Sequence, residues 1–301
     1  MTILITGANG FLGQYLCTNL ASKGFRVVAT SRGDCRIFNR QSIKYQSVDV
    51  TNKVEVATIL ALEKPDIVIH NAAMSKPDAC EKDGRECMIQ NVDTTMILLE
   101  ACKKIKPFFI YISTDFVFGE NGPHSEDAAP DPLNLYGISK LLAEQMVQSS
   151  GLTYAIVRPV FIYGQLLPGM KPTFIHWVQQ NLENGKRINV VNDQQRTPTF
   201  VTDICDGIFA LINKKAQGVF HLAGKDILSP NAMAVTVAAV LGLDASLIEP
   251  VTSATFIEPV QRAKKSGLKI NKAIEILDYN PVSFEEGVKL SFGIKKLPQS
   301  H

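Results

Sequence analysis

Three glycines, Gly7, Gly10 and Gly13, follow a short β-type run at Thr2–Thr6 and head a helical pattern over Gly10–Lys23. A strand that passes into a helix through such a loop commits the chain to a βα unit whose turn presents backbone, rather than side chains, to an anion. Each glycine answers a separate steric demand. Gly7 permits the tight turn, Gly10 lets a pyrophosphate come up to the main chain, and Gly13 lets helix and strand pack closely. The free N–H groups at the head of the helix and its partial positive charge then meet the phosphates without a lysine. Gly7, Asn9, Gly10, Phe11, Leu12 and Gly13 are therefore candidate contacts of a dinucleotide.

The rest of the first half keeps the same beat. Short runs rich in Ile, Val, Phe and Thr at Arg26–Thr30, Tyr45–Val48, Asp66–His70, Phe108–Ser113 and Tyr154–Val157 read as buried strands. Between them, apolar residues recur at three and four over Lys53–Leu62, over one long helix from about Cys80 to Lys104, and over Tyr136–Ser150. Six strands with intervening helices and right-handed crossovers predict an α/β fold, a Rossmann-type doubly wound parallel sheet. Beyond Pro159 the beat changes, and Pro-containing stretches at Leu166–Pro172 and Arg196–Pro198 separate shorter helices and weaker strands. We read residues 1–159 as a dinucleotide-binding domain and 160–301 as mainly a smaller substrate-binding lobe, interleaved with the sheet through segments that return to it.

With 46% hydrophobic and 20% charged residues among 301, the chain has apolar material for one large core or two modest ones. The 31 Lys and Arg against 29 Asp and Glu leave a formal charge of +2, so no global field holds nucleic acid or an anionic membrane, and an anionic ligand must be met locally. No apolar run approaches the roughly 20 residues a bilayer span needs. A strand that begins almost at Met1 leaves no room for a signal peptide, so a cytoplasmic location is expected. Cysteines 17, 35, 80, 87, 102 and 205 form no CxxC pair and read as small core residues. No Asp, Glu and His cluster has metal spacing, so no metal is expected in the chemistry.

At the end of the second strand of such a sheet, an acid holds a ribose 2′-hydroxyl and an arginine holds a 2′-phosphate. Here Ser31 and Arg32 occupy that end, with Asp34 two residues on. NADP(H) is favoured, with NAD(H) as the alternative, because pairing of a guanidinium with phosphate is strong and geometry-selective. Arg32 as a solvated loop residue is the competing reading.

Tyr136-Gly137-Ile138-Ser139-Lys140 sets a tyrosine and a lysine four apart at the start of a helix, on one face and about one turn from each other. A tyrosine with an ordinary pKa of about 10 is a poor acid–base group at neutral pH, but a nearby ammonium favours its phenolate. Lys140 is expected to act in this way on Tyr136 and to reach the nicotinamide ribose. Thr114, in Ile112-Ser113-Thr114-Asp115-Phe116, ends the fifth strand at the carboxyl edge where such sheets bind ligands. Its hydroxyl can donate to a substrate carbonyl oxygen and stabilise the charge that develops there. A threonine merely packed at a strand end is the alternative.

The GxxGxxG spacing resembles the short-chain dehydrogenase/reductase superfamily, and the resemblance extends over nearly the whole chain. It implies that Asn71, Ala72 and Ala73 pass close to the cofactor, that Asn91 helps position the lysine through water, and that Arg158-Pro159 lies near the nicotinamide. Asp49, with Val50 beside it, resembles the superfamily's adenine-contacting aspartate, and a helix cap before Val54 fits equally well. Plainer readings stand beside these: His70 as a core histidine and Asn91 as relief of a helix kink.

Within the superfamily, Ser113–Phe118, the acidic stretch Glu120–Asp127, Pro132–Gly137 and Asp193–Thr199 look most like dTDP-4-dehydrorhamnose reductases. Such enzymes reduce a keto group on a nucleotide-linked sugar, which implies substrate contacts from Thr114, Asp115 and Phe116. Arg196 departs from that pattern and resembles the arginine by which nucleotide-sugar epimerases hold a diphosphate. Arg262 resembles a second such anchor, and surface charge is the plain reading of both. Two functions compete with the reductase: an epimerase with bound NAD, and a non-catalytic subunit like the regulatory subunit of methionine adenosyltransferase, which Asp193-Gln194-Gln195-Arg196 resembles. Relatives also pair as homodimers through helices like the long one after the fourth strand and the Tyr136 helix, and that expectation stays open here.

Overall fold

The computed structural model of the chain describes residues 1–256 and 259–294. Its first half runs β1 (Thr2–Thr6), α1 (Phe11–Ser22), β2 (Arg26–Ser31), β3 (Ile43–Ser47), α2 (Lys53–Glu63), β4 (Ile67–His70), α3 (Pro77–Lys82), α4 (Gly84–Met88), α5 (Thr94–Cys102), β5 (Phe108–Ile112), α6 (Leu135–Ser149) and β6 (Tyr154–Arg158). The second half adds β7 (Ile162–Tyr163), α7 (Phe174–Glu183), β8 (Ile188–Val191), β9 (Thr199–Phe200), α8 (Val201–Lys214), β10 (Gly218–His221), α9 (Pro230–Leu241), β11 (Ile248–Val251), α10 (Asn271–Leu277) and α11 (Phe284–Ser291).

Seven strands form one parallel sheet in the order β10-β6-β5-β4-β1-β2-β3, the Rossmann-type α/β architecture expected from the sequence. The runs are uninterruptedly apolar because both faces are covered. Ile3, Ile5, Val27, Ala29, Ile69 and Ile110 face Leu16 and Leu20 of α1 and Ile204 and Ile208 of α8. Their neighbours Leu4, Val28, Val68, Phe109 and Ile156 face Ile59 of α2, Leu98 of α5 and Val147 of α6. The winding reverses between β1 and β4, and a crevice opens there beyond the carboxyl ends of the strands.

A separate core gathers Ile175, Val178, Val190, Met233, Val237, Phe284 and Val288 from α7, β8, α9 and α11. Two small parallel pairs, β11-β8 and β7-β9, frame this second lobe. Among the described residues no helix is long and apolar enough to cross a membrane, and none of the six cysteines is paired.

The long helix expected over Cys80–Lys104 is broken once and widened once. Asp83 leaves the helical region (φ −135°, ψ 81°) and turns its carboxylate to accept the Glu86 N–H, capping a new helix instead of continuing the old one. A wider turn at Ile89–Asp93, with i→i+5 bonding, then carries Asn91 inward, where it is buried.

Candidate active site

The glycine loop is tied to the end of β4. Gly7 sits at φ +65°, and a Cβ there would lie 2.7 Å from the Ala72 backbone. Thr6 Oγ1 accepts the N–H groups of Asn71 and Ala72, both at 3.1 Å, and Asn71 Nδ2 donates to Gly7 O at 3.1 Å. At Gly13 a Cβ would come within 2.2 Å of Gly7 O, so the first turn of α1 packs against the loop only because that atom is missing. No side chain caps α1 at Gly10. Its N-terminal donors therefore face a cleft of about 950 Å³ bordered by Gly7, Asn9, Gly10, Phe11 and Leu12.

One end of this cleft is cationic. Ser31, Arg32 and Arg36 line it, opposite the apolar side chains of Val48 and Val50. Asn9 fixes the arginine loop to the glycine loop: its Oδ1 accepts the Arg36 N–H at 2.8 Å, and its Nδ2 donates to Asp34 O at 2.9 Å and to the Tyr45 hydroxyl at 3.1 Å. Asp49 lies outside the lining, where its carboxylate accepts from Thr51 N and Thr51 Oγ1 at 2.9 and 2.8 Å, and Asn52 caps α2.

At the other end stand Ser113, Thr114, Tyr136, Lys140, Pro159 and Phe161. Thr114 closes a turn, accepting the Phe116 N–H at 3.3 Å and donating to Asp115 Oδ1 at 3.2 Å. α6 docks onto that turn through Gly137, where a Cβ would meet Phe116 O at 2.1 Å, and so brings Tyr136 edge-on to Phe116 with ring centroids 5.5 Å apart. Burial pushes the Tyr136 phenol well above its ordinary value, with the Thr114 hydroxyl working against it. The lowering expected from Lys140 is thus reversed. Lys140 Nζ is turned to Ile112 O at 2.7 Å and lies 4.2 Å from the centre of the Tyr111 ring, and burial drops its own pKa to about 7.

Several residues named from the sequence lie elsewhere. Arg158 does not reach the cleft. It is 3% exposed, and its Nε and Nη2 donate to Glu144 Oε1 and Oε2 at 2.9 and 2.6 Å, while Pro159 lines the cleft in its stead. Consecutive residues around a strand end point to opposite sides, which separates the two. Asn91 also lies behind the lining, bonded to Met74 N at 2.8 Å, Met74 O at 3.2 Å and Ser139 Oγ at 2.9 Å. His70 is a core histidine held between the hydroxyls of Thr6 (2.9 Å) and Thr95 (3.1 Å), its pKa dropped to about 3 by burial.

The same cleft adjoins a second pocket of about 380 Å³ that shares Asp115, Phe116 and Phe161 with it. Phe174, Trp177 and Val190 give this pocket apolar walls, and Arg196 and Arg262 give it positive ones. Arg196 is held by Gln195 O and Ala263 O, both at 2.8 Å, and by Gln194 Oε1 at 3.0 Å, and Arg262 reaches Asp78 Oδ1 at 2.8 Å. The Asp115 carboxyl is raised by burial, with Arg196 opposing. Among the described residues no group of three or more His, Cys, Asp or Glu is placed to hold a metal ion.

A dinucleotide fits these residues by two independent marks: an uncapped helix head behind glycines that let the loop fold tightly against β4 and α1, and the Ser113 hydroxyl, which is buried on the cleft wall without a hydrogen-bond partner. Fold and site together define an extended short-chain dehydrogenase/reductase, the class that contains dTDP-4-dehydrorhamnose reductases and nucleotide-sugar epimerases. The family model described as "RmlD substrate binding domain" matches residues 1–295, and the chain belongs to that family.

Its relatives differ in name. "Methionine adenosyltransferase 2 subunit beta" of Mus musculus is 29% identical over 96% of this chain and 86% of its own length. A Haloferax volcanii protein called "Probable low-salt glycan biosynthesis reductase" is 30% identical over 90% of each chain. The crystal structure of dTDP-4-dehydrorhamnose reductase from Bacillus anthracis in complex with NADP superimposes with a TM-score of 0.85 at 27% identity, covering 98% of this chain and 99% of that one.

Proposed function

We propose that the protein reduces a keto group on a nucleotide-linked sugar, with NADP(H) as the electron source. One observation carries this reading: Thr114, Tyr136 and Lys140 line the same cleft as the glycine loop, and that cleft meets the second-lobe pocket at Asp115, Phe116 and Phe161.

A bound nicotinamide supplies the hydride that reduces the carbonyl carbon. Tyr136 gives its phenolic proton to the oxygen as negative charge builds there. A phenol that burial keeps protonated suits this direction, because it releases the proton only to a strong base such as a nascent alkoxide. Thr114 donates a hydrogen bond to the same oxygen, and Lys140, as the ammonium, stabilises the phenolate that remains on Tyr136. Arg32 and Arg36 pair with a 2′-phosphate at the far end of the cleft. Arg196 and Arg262 offer guanidinium groups to the sugar's diphosphate, and Phe174 and Trp177 offer ring faces to its base.

The test is to mix the protein with NADPH and a panel of nucleotide-linked keto-sugars and follow the absorbance of the reduced nicotinamide. Consumption that falls by roughly 10²–10⁴-fold in Tyr136→Phe, with cofactor affinity unchanged, supports the reductase. Sugar conversion without net consumption selects an epimerase instead. Similarity to the mouse methionine adenosyltransferase subunit favours a second reading, a nucleotide-binding subunit of a larger enzyme. Cofactor binding without turnover, together with capture of a methionine adenosyltransferase catalytic subunit on the immobilised chain, selects that one.

A further inference from the structure

We propose that Glu144 and Arg158 form a positioning pair for Lys140, a buried ion pair whose negative end faces the catalytic ammonium from one helical turn away. The inference rests on Lys140 acting in the proposed reaction, and it gives Arg158 a task behind the cleft in place of one inside it.

The geometry is specific. Glu144 follows Lys140 by four residues on α6, so both leave the helix on one face. They are 1% and 2% exposed. From β6, Arg158 closes on Glu144 with two near-parallel hydrogen bonds at 2.9 and 2.6 Å, the fork that a carboxylate accepts best. The remaining sides of the guanidinium are also occupied: Nη1 lies 3.4 Å from His221 Nε2, and the group sits 4.9 Å from the centre of the Phe118 ring. His221 is in turn fixed through Nδ1 to Lys269 O at 3.1 Å. Arg158 is thus held in place by His221 of β10 and by the Phe118 ring after β5, and it holds the Glu144 carboxylate in turn.

The pair matters because of what surrounds Lys140. From β4 comes His70, from β5 the Tyr111 ring and the Ile112 carbonyl, from α3 and α4 the thiols of Cys80 and Cys87, and from α6 itself Tyr136 and Glu144. Burial keeps His70 neutral and Cys80, Tyr111 and Tyr136 protonated. Burial likewise drives Lys140 towards its neutral form, and the Glu144 carboxylate opposes that drive. Arg158 supplies the counter-charge a buried carboxylate needs and offsets part of its field, while Glu144, on the same helix face as Lys140, remains the charge that opposes the effect of burial there. With Lys140 poised at about 7, roughly half of it is protonated near neutral pH, and losing that field lowers the protonated fraction further.

The experiment titrates Lys140 directly in the full chain, by the ε-carbon shift of ¹³C-lysine assigned through Lys140→Arg, and repeats the titration in three variants. Glu144→Gln removes the charge but strands Arg158, so Glu144→Gln with Arg158→Gln, which removes both charges, accompanies it. Arg158→Lys keeps both. In the charge-free double variant the Lys140 titration is expected to move to lower pH by about one unit. Arg158→Lys is expected to leave it in place. Where the protein turns over a keto-sugar, the alkaline limb of kcat/KM shifts the same way, because the protonated amine is the active form. A folded double variant with an unmoved Lys140 titration overturns the proposal and leaves the pair purely structural. A shifted titration in a chain that reduces no sugar keeps the pair and removes the reductase reading.

Discussion

On the glycine-loop side of the cleft the lining sits on short, contiguous stretches: Gly7–Gly13, Ser31–Arg36, Asn71–Ala73, Ser113–Phe116 and Tyr136–Lys140. Each stretch follows a strand or opens a helix, so the sheet alone aims it. On the second-lobe side the wall is assembled from segments far apart in the chain. Arg196 is held by Ala263, 67 residues away, and Thr197 Oγ1 accepts the N–H of Leu268, 71 residues away. Gln195 bridges to Lys265 and Arg196 to Leu228 through isolated pairings outside any sheet. The first wall is set by turns whose shape depends on residues close in sequence, whereas the second depends on contacts between distant segments.

The sharpest way to break this contrast is Gly13→Ala. Its Cβ would meet Gly7 O at 2.2 Å, a backbone atom of the phosphate loop itself. The expected outcome is loss of measurable dinucleotide binding by calorimetry and a stability loss of about 1–3 kcal/mol by denaturant unfolding. Gly287→Ala in the second lobe meets only the hydroxyl end of Tyr163, so dinucleotide binding there should be kept.

A smaller effect is expected from removing Arg32 and Arg36 together. The ratio of NADP(H) to NAD(H) affinity should fall by roughly 10–100-fold, the loss of charge-assisted hydrogen bonds to one phosphate, while affinity for NAD(H) holds. An unchanged ratio would remove the physical basis for preferring NADP(H).

Smallest of all, Trp177→Ala should raise KM for the sugar nucleotide a few-fold, about 1 kcal/mol of stacking, and leave cofactor Kd and kcat near their original values. If cofactor affinity moved as well, the two walls would not be independent.

The same contrast accounts for what could be read in advance. β1 and β2 were legible because a buried parallel strand needs an unbroken apolar run, and the motifs at Gly7–Gly13, Thr114 and Tyr136–Lys140 were legible because their residues are close in sequence. β3 begins at Ile43 rather than Tyr45, as a half-exposed edge strand carries a weaker pattern. Periodicity cannot register the break at Asp83, where a carboxylate satisfies a new helix start, or the widened turn that carries Asn91 inward. Arg36 enters the cleft beside Arg32 on a loop whose backbone N–H is caught by Asn9, a bond between residues 27 apart. Phe174 and Trp177 were missed outright, since an aromatic pair near the start of an amphipathic helix looks the same whether it faces a core or a ligand. Arg158 was misplaced because the sequence motif joins it to Pro159, whereas the pleat separates them.

The position of β10 bears on how this molecule can be recombined. It comes from residues 218–221, inside the second half, yet it covers the outer edge of β6 and carries the histidine that backs Arg158. A chimera spliced once near residue 160 would take its sheet from one parent and the strand that seals that sheet from another, with register and buried charges unmatched. Exchanging substrate lobes between relatives therefore calls for paired junctions, one after β6 and others on either side of β10, so that the seal travels with the sheet.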